Sequence, residues 1–473
     1  MTAILGPSVS FNGLFFFWTL LTGYFATLWA RQLGANRSVA ILTGVLATFG
    51  PYRWSHQIHL NLFSTPWMFL AFYFCERSRV HPRKQYASGI TLAWILAFFS
   101  DWYYGLFVGL YLAIRSSLKI GKERTRSSVY WILKYGILPS LVTGILLYGY
   151  FGSSPTRGGY VDSVDLKYSS YWSLDAMHFV LPLWLLPHFH DLQQSEEFHL
   201  HPGLVLMVLP LFLGWVKNPS SDQGTNRKFL FIMTLVFMIL SLGPILMWFG
   251  VPLKIYGLPI FLPAGILELI PSLTIIRVYA RFAYLGWIAY LLLGLLGMQH
   301  WFQKKSMPRG SRWGCSFLAI LLAIETGWHF PSMYPYAVPS QIYPHSPKSV
   351  LEIPFTPSVF GGLHLFHQTL HHQPIFVTEF SRLGHFRKDY LQALPALNML
   401  NRMAQGLEPT EEKPFDPEEF CEELERLGPI YITLSFPTQD NEQIDSIHVK
   451  LQSLVESCRK GNREDSRMEF LNE

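Results

Sequence analysis

Ten apolar blocks, most of them close to the length of a membrane crossing, constrain this chain more than any other feature. They lie near 13–31, 38–51, 59–76, 87–100, 103–115, 130–151, 203–216, 229–250, 282–300 and 314–330. A hydrocarbon core about 30 Å thick takes about 20 apolar helical residues, and as few as about 17. Backbone N–H and C=O groups find no partner in lipid, so each block has to satisfy its own as a helix. Only 15% of the 473 residues are charged, and those charges crowd between the blocks. A water-soluble chain of this length would need them spread over its surface. The fold class that follows is an α-helical polytopic membrane protein, with about ten transmembrane helices over residues 1–330. The two short blocks beside Asp101 can equally form one broken or re-entrant unit.

Lysine and arginine set the orientation. One set of alternate loops carries Arg31 and Arg37, then Arg77, Arg79, Arg83 and Lys84, then Arg115, Lys119, Lys122, Arg124 and Arg126. It continues with Lys217, Arg227 and Lys228, and ends on Lys304, Lys305, Arg309 and Arg312. The other set is poorer: Arg53, none around Asp101, Arg157 and Lys167, then Lys254, Arg277 and Arg281. The richer loops are therefore expected in the cytoplasm. Loops 152–202 and 251–281 and the tail from 331 are expected outside, with the chain multi-pass in the cell (plasma or inner) membrane. This puts Met1 on the outer side with no charged n-region before the first block, so the block is not a cleaved signal. It is either an N-out helix or a sign that another span precedes it.

The tail differs in kind. Pro331, Pro335, Pro339, Pro344 and Pro347 mark a linker. "SVLEIPF", "PIFVTEF" and "PIYITLSF" read as strands, while "DYLQALPALNMLNRMAQ" and "PEEFCEELERLG" have helical spacing. That alternation predicts a small extracytoplasmic α/β domain over 331–473, with a polar, frayed stretch from about Lys460. The net charge of +5 is scattered in short clusters and gives no footprint for nucleic acid. Cys75 and Cys315 fall in or beside spans and read as packing residues. Cys421 and Cys458 either pair, if the tail is exported, or stay as thiols. No phosphate-binding Gly-rich loop, HExxH or CxxC motif is present, so no cofactor and no metal are expected.

What remains is polar residues at the outer ends of spans. "GPYRWSHQIHLNLFSTPW" holds Arg53, His56, His59 and Asn61; the histidines stand at i, i+3, spaced to share a helical face and bind phosphate or sugar hydroxyls. An aromatic interfacial belt, with Arg53 reaching lipid phosphate, explains the same residues. Asp101 in "FFSDWYYGLF" is the one acid between two apolar runs. It is a catalytic candidate because a carboxylate at membrane depth is costly, or else a helix cap. Arg277 and Arg281 in "PSLTIIRVYARFAYLGW" are spaced i, i+4 and suit a phosphate or pyrophosphate; otherwise they pair with Glu268 or with headgroups. In loop 152–202 most charges read as solvated, Asp175 among them. Glu196 or Glu197, just before a span, is the best catalytic candidate there.

The order of these motifs carries a resemblance. "PYRWSHQIHLNL", "DWYYGLF", "EEFHLHPGLVLMVLPLFLGW", "LSLGP", "LPAGILELIPSLTIIRVYARFAYLGW" and "VLEIPF…HQTLHHQPIFVTEFSR" follow one another over about residues 13–385. Together they resemble the bacterial multispanning proteins of the C-type glycosyltransferase (GT-C) fold, the YfhO-like group included. The resemblance implies a transferase that takes a sugar from a polyprenyl-phosphate donor on the outer face of the membrane. It also implies an essential acid in the first external loop, after the first span. The chain begins after that point of the pattern, so no residue here is matched to that acid, and a further span with an acidic loop is expected upstream of Met1. In such a reaction the arginines would hold the leaving phosphate and a carboxylate would assist the acceptor. A transporter or flippase for a lipid-linked sugar is the alternative from another class, although it calls for a repeat that the sequence lacks. A non-catalytic scaffold for envelope polysaccharide assembly is the third reading.

Overall fold

A computed structural model describes residues 7–56, 59–81, 83–118, 170, 172–179, 221–268, 276, 278–307, 309–327, 349–353, 430–434 and 469–471. The described chain is mostly helical. In order come α1 (Pro7–Gln32), α2 (Arg37–Phe49), the short α3 (Pro51–Ser55) and α4 (Leu60–Phe63), α5 (Pro66–Val80), α6 (Lys84–Ser100) and α7 (Trp102–Ser117). They are followed by α8 (Ser221–Ser241), the single turn α9 (Gly265–Glu268), α10 (Phe282–Lys304) and α11 (Gly310–Gly327). Among the described residues, three stretches are long and apolar enough to cross a membrane: Asn12–Gln32, Gly224–Ser241 and Tyr279–Lys304. The helices α2, α5, α6 and α7 have 13, 15, 17 and 16 residues. At about 1.5 Å per residue they reach only about 20–25 Å. The expected spans at 130–151 and 203–216 lie outside the described residues.

The apolar character of each helix goes where the packing can use it. In the stretch Tyr279–Lys304, 89% of an 18-residue apolar window is buried inside the protein, as expected of a helix that is apolar all round. The side chains of α8 show the opposite arrangement. Phe231, Leu235 and Ile239 recur every four residues and stand 53%, 44% and 40% exposed. Such a stripe is unusual in water-soluble proteins and is what a lipid-facing helix presents. Neighbouring helices run antiparallel. Phe107 meets Phe237 at 5.3 Å and Tyr111 meets Phe229 at 5.0 Å between α7 and α8. Between α2 and α10, Tyr284 donates to the Ala47 carbonyl at 2.8 Å and the Asn36 amide donates to Gln299 Oε1 at 2.7 Å. Where α1 crosses α2, a Cβ on Gly44 would collide with the Thr27 side chain and the Gly23 carbonyl. Only glycine lets these helices come so close.

Three expectations are corrected here. The span at 229–250 ends as a helix at Ser241. Beyond it Met247–Trp248 (β1) pairs antiparallel with Val251–Pro252 (β2), and Lys254–Ile255 (β3) with Leu258–Pro259 (β4). Phe249–Gly250 and Tyr256–Gly257 make the turns, all four residues at positive φ, the signature of tight β-hairpins. The span at 59–76 is interrupted at Ser64–Thr65 and restarts at Pro66, where proline suits a first helical turn. Arg115, read as a loop cation, is a buried residue of α7.

The chain forms two compact units, Ser10–Ser153 with Ser163–Met333, and Met1–Val9 with Ser154–Asp162 and Tyr334–Glu473. In the second, β5 (Ser349–Ile353), β6 (Ile430–Leu434) and β7 (Glu469–Leu471) form a parallel sheet in that order, with Leu351 opposite Ile432 and Ile432 opposite Phe470. The first and third expected tail strands coincide with β5 and β6; the second lies outside the described residues. β7 falls in the stretch expected to be frayed, because a three-residue strand among polar neighbours leaves no alternation to detect.

Candidate functional site at one end of the bundle

The one-residue turn between α6 and α7 is made by Asp101. Its backbone is extended, at φ −154° and ψ 133°, closing α6 and opening α7. Asp101 Oδ1 accepts the Tyr103 amide at 2.8 Å, an N-cap, and Oδ2 accepts Asn61 Nδ2 at 2.9 Å. The two helices then fold back on each other. Trp94 Nε1 donates to the Gly105 carbonyl at 2.8 Å. The carboxylate that stood out in the sequence is thus needed to turn the chain inside an apolar stretch.

Around that turn the structure gathers residues that the sequence keeps far apart. Arg281, in the helical turn Tyr279–Arg281, lies with its guanidinium carbon 4.9 Å from the centre of the Tyr103 ring. The Tyr103 hydroxyl accepts the Val278 amide at 2.8 Å. Tyr104 is fully buried, donates to the Leu62 carbonyl, and lies within electrostatic reach of Asp101, Tyr284, Arg281 and Arg53. Two of the three polar clusters of the sequence, and one arginine of the third, therefore meet about one tyrosine.

Arg53 is the most unusual member. Its side chain is 0% exposed. Nε donates to the Phe63 carbonyl at 3.1 Å and Nη1 to the Thr48 carbonyl at 2.9 Å, while the guanidinium stacks 3.4 Å over the Phe63 ring. It thus closes the carbonyl ends of α2 and α4. Nη2 is buried without a hydrogen-bond partner. Burial pulls its pKa from 12.5 to about 10, so it stays charged at neutral pH. Among the described residues no carboxylate forms a salt bridge with it.

His56 is buried against Tyr52, with Nδ1 2.7 Å from the Tyr52 carbonyl, and His59 is exposed. The histidines do not share a helix, because α3 stops at Ser55. A turn brings their rings to 6.2 Å instead. Arg277, Glu196 and Glu197 lie outside the described residues. The turn holding Arg281 has Val278 as its N-cap. Asp175, expected in solvent, is 4% exposed: Oδ1 accepts the Met177 amide at 2.9 Å and Oδ2 the Gly250 amide at 2.7 Å. Among the described residues, no group of three His, Cys, Asp or Glu side chains is placed to hold a metal ion. Cys75 and Cys315 are buried and neither is in a disulfide.

At the opposite end the structure shows a network missed in the sequence. Glu76 Oε1 accepts Tyr111 at 2.7 Å and Arg115 Nε at 2.8 Å. Glu76 Oε2 accepts Arg115 Nη2 at 2.6 Å and Arg79 Nη1 at 2.5 Å. Trp29 donates to the Tyr111 hydroxyl at 2.9 Å, and Arg115 Nη2 reaches Asn226 Oδ1 at 2.5 Å. The signal available was a single acid ending an apolar run and directly preceding arginines.

A family model described as "Domain of unknown function (DUF6311)" matches residues 1–325. The chain belongs to the DUF6311 family. The match takes in every residue of both polar ends and stops before the parallel sheet, so the DUF6311 region is the helical part of the chain. Comparison with curated proteins and with solved structures gave no match.

Proposed function

We propose that this DUF6311 protein is a multi-pass membrane protein of about ten spans that binds a polyprenyl-phosphate sugar at the Arg53–Asp101–Arg281 end. It acts there as a glycosyltransferase of the GT-C, YfhO-like kind, with a C-terminal α/β domain on the same, extracytoplasmic side. The observation that carries this reading is Arg53, a buried cation in no carboxylate salt bridge among the described residues, with one N–H edge still unsatisfied. A buried charge of this kind is costly unless something compensates it. The cluster about Tyr104 sets two guanidinium groups, Arg53 and Arg281, against the carboxylate of Asp101, and an anionic headgroup answers the surplus. Guanidinium groups grip phosphate through paired hydrogen bonds.

A scaffold that binds the same lipid without catalysis is supported by a different observation. Both oxygens of Asp101 are already engaged, one in a cap and one by Asn61, which suits holding a fold better than taking a proton.

Binding of a short-chain polyprenyl-phosphate sugar to purified wild type and Arg281→Gln tests the shared premise. A charge-assisted hydrogen bond is worth about 1.5–3 kcal/mol, so affinity should fall about tenfold or more. Lysine should rescue only part of it. Equal affinities would remove the site. Sugar transfer by Asp101→Asn then separates the readings: a transferase using this acid loses turnover while keeping donor affinity, whereas a scaffold shows no turnover in the wild type either.

A further inference from the structure

The segment 245–261, which leaves α8 and returns towards α10, is apolar where a loop in water is expected to be polar. Between Ile245 and Leu267 its one charge is Lys254. Val251, Ile255, Leu258 and Phe261 are 61%, 57%, 71% and 63% exposed, and Tyr256 is fully exposed. The backbone is nonetheless paired internally. Leu253 N donates to Leu246 O at 2.8 Å, Ile260 N to Leu253 O at 3.0 Å, Leu246 N to Ile260 O at 3.0 Å, and Leu262 N to Pro244 O at 2.9 Å. Satisfied amides remove the main obstacle to entering a medium of low polarity. The two turns differ. The one at Phe249–Gly250 is pinned by Asp175, which accepts the Gly250 amide. The one at Tyr256–Gly257 projects, with every residue from Val251 to Leu258 exposed.

We propose that the hairpin tip around Tyr256 is an interfacial anchor that dips into the leaflet at the Asp101 end of the bundle. The occupant of this surface is lipid because the exposed stripe Phe231–Leu235–Ile239 of α8 runs directly into it. The chain rises out of the bilayer at Ser241 and begins its return at Tyr279, so the hairpin is tethered at the surface. Its composition fits that depth. Tyrosine and tryptophan favour the headgroup boundary, and a lysine can lay its stem on apolar surface while its ammonium stays in water. Interfacial elements of this sort sink about 5–10 Å. The anchor would hold the leaflet against the bundle end where a lipid-linked sugar has to enter. The inference rests on the membrane reading and not on catalysis.

The test is a fluorophore on Tyr256→Cys or, separately, on Leu258→Cys. The full-length chain carries Cys421→Ser and Cys458→Ser and keeps the buried Cys75 and Cys315. It is reconstituted in vesicles with quenchers on the upper acyl chain, and aqueous iodide is applied in parallel. The same label on Phe231→Cys, on the exposed stripe of α8, is the reference. Lipid quenching with little iodide quenching at both tip positions, unchanged as lipid is added, is the expected result. Iodide access at the tip with lipid contact at Phe231→Cys overturns the anchor and leaves the membrane reading intact. Iodide access at all three overturns both. Shielding that fades as lipid dilutes the protein assigns the surface to a second copy and likewise overturns the anchor.

Discussion

The two polar ends of the helical bundle solve the same problem differently. At the Glu76 end two arginines share a carboxylate: Glu76 takes four hydrogen bonds from Arg115, Arg79 and Tyr111, and Asn226 takes a further one, while Arg115 Nη1 and Arg79 Nε stay buried without a hydrogen-bond partner. At the Asp101 end the acid is used to turn the chain, and Arg53 is left with two carbonyls, an aromatic face and one idle nitrogen. Helix packing needs no idle cation. The difference that remains is the counter-charge: Arg115 and Arg79 meet a carboxylate and Arg53, among the described residues, does not, which is the ground for proposing that the first end braces and the second receives.

The sharpest way to break this contrast is at the brace. Glu76→Leu strands Arg115, 2% exposed, in an apolar surrounding. It should cost about 3–5 kcal/mol, the usual penalty for half of a buried ion pair. Thermal unfolding in detergent should show it plainly. The double change Glu76→Leu with Arg115→Met should recover most of the loss. Failure to recover would mean that the network does more than hold helices together.

Arg53→Met comes next. It deprives two carbonyls of their donor, which at about 1 kcal/mol each gives a loss of about 2 kcal/mol. It should also weaken binding of the lipid-linked donor about tenfold or more. A chain that kept donor affinity would make Arg53 a second brace and erase the difference between the ends.

Asp101→Ala should lower stability by about 1–2 kcal/mol through the lost cap of α7, and Asp101→Asn by much less, because asparagine caps as well as aspartate. Chemical denaturation of the two variants side by side would show it. A large, equal loss in both would mean that the charge itself is needed for folding. Tyr104→Phe should have a smaller effect than Asp101→Ala. Removing its hydrogen bond to Leu62 should cost about 1 kcal/mol, visible as a modest shift in the melting temperature.

The residues of the Asp101 end were legible one at a time. A carboxylate in an apolar run, or two histidines and an arginine beside one, is costly enough to stand out. Their meeting was not legible, since Asn61, Asp101 and Arg281 come together through antiparallel packing of helices distant in sequence, for which no local period exists. Glu76 escaped notice because "CERSRVHPRK" reads as a charged loop, although the helix runs on to Val80. The hairpin was hidden for the opposite reason. Its apolar residues extend the run of α8 without a break, and periodicity does not separate a strand from a helix over so few residues. The glycines in "WFGV" and "IYGL", each at the second position of a tight turn, were the available clue.

The seal between α2 and α10 has a consequence for the order of assembly. The Asn36 amide and the Ala47 carbonyl, near opposite ends of α2, find partners in Gln299 and Tyr284, 263 and 237 residues away along the chain. At synthesis rates of about 5–20 residues per second, these partners emerge roughly 10–50 s after α2 itself. During that interval α2, too short to cross the bilayer alone, has groups that only water, lipid headgroups or a helper protein can satisfy. The finished bundle therefore requires an early helix to wait for a late one, so the seal cannot close sooner than the ribosome delivers Tyr284 and Gln299.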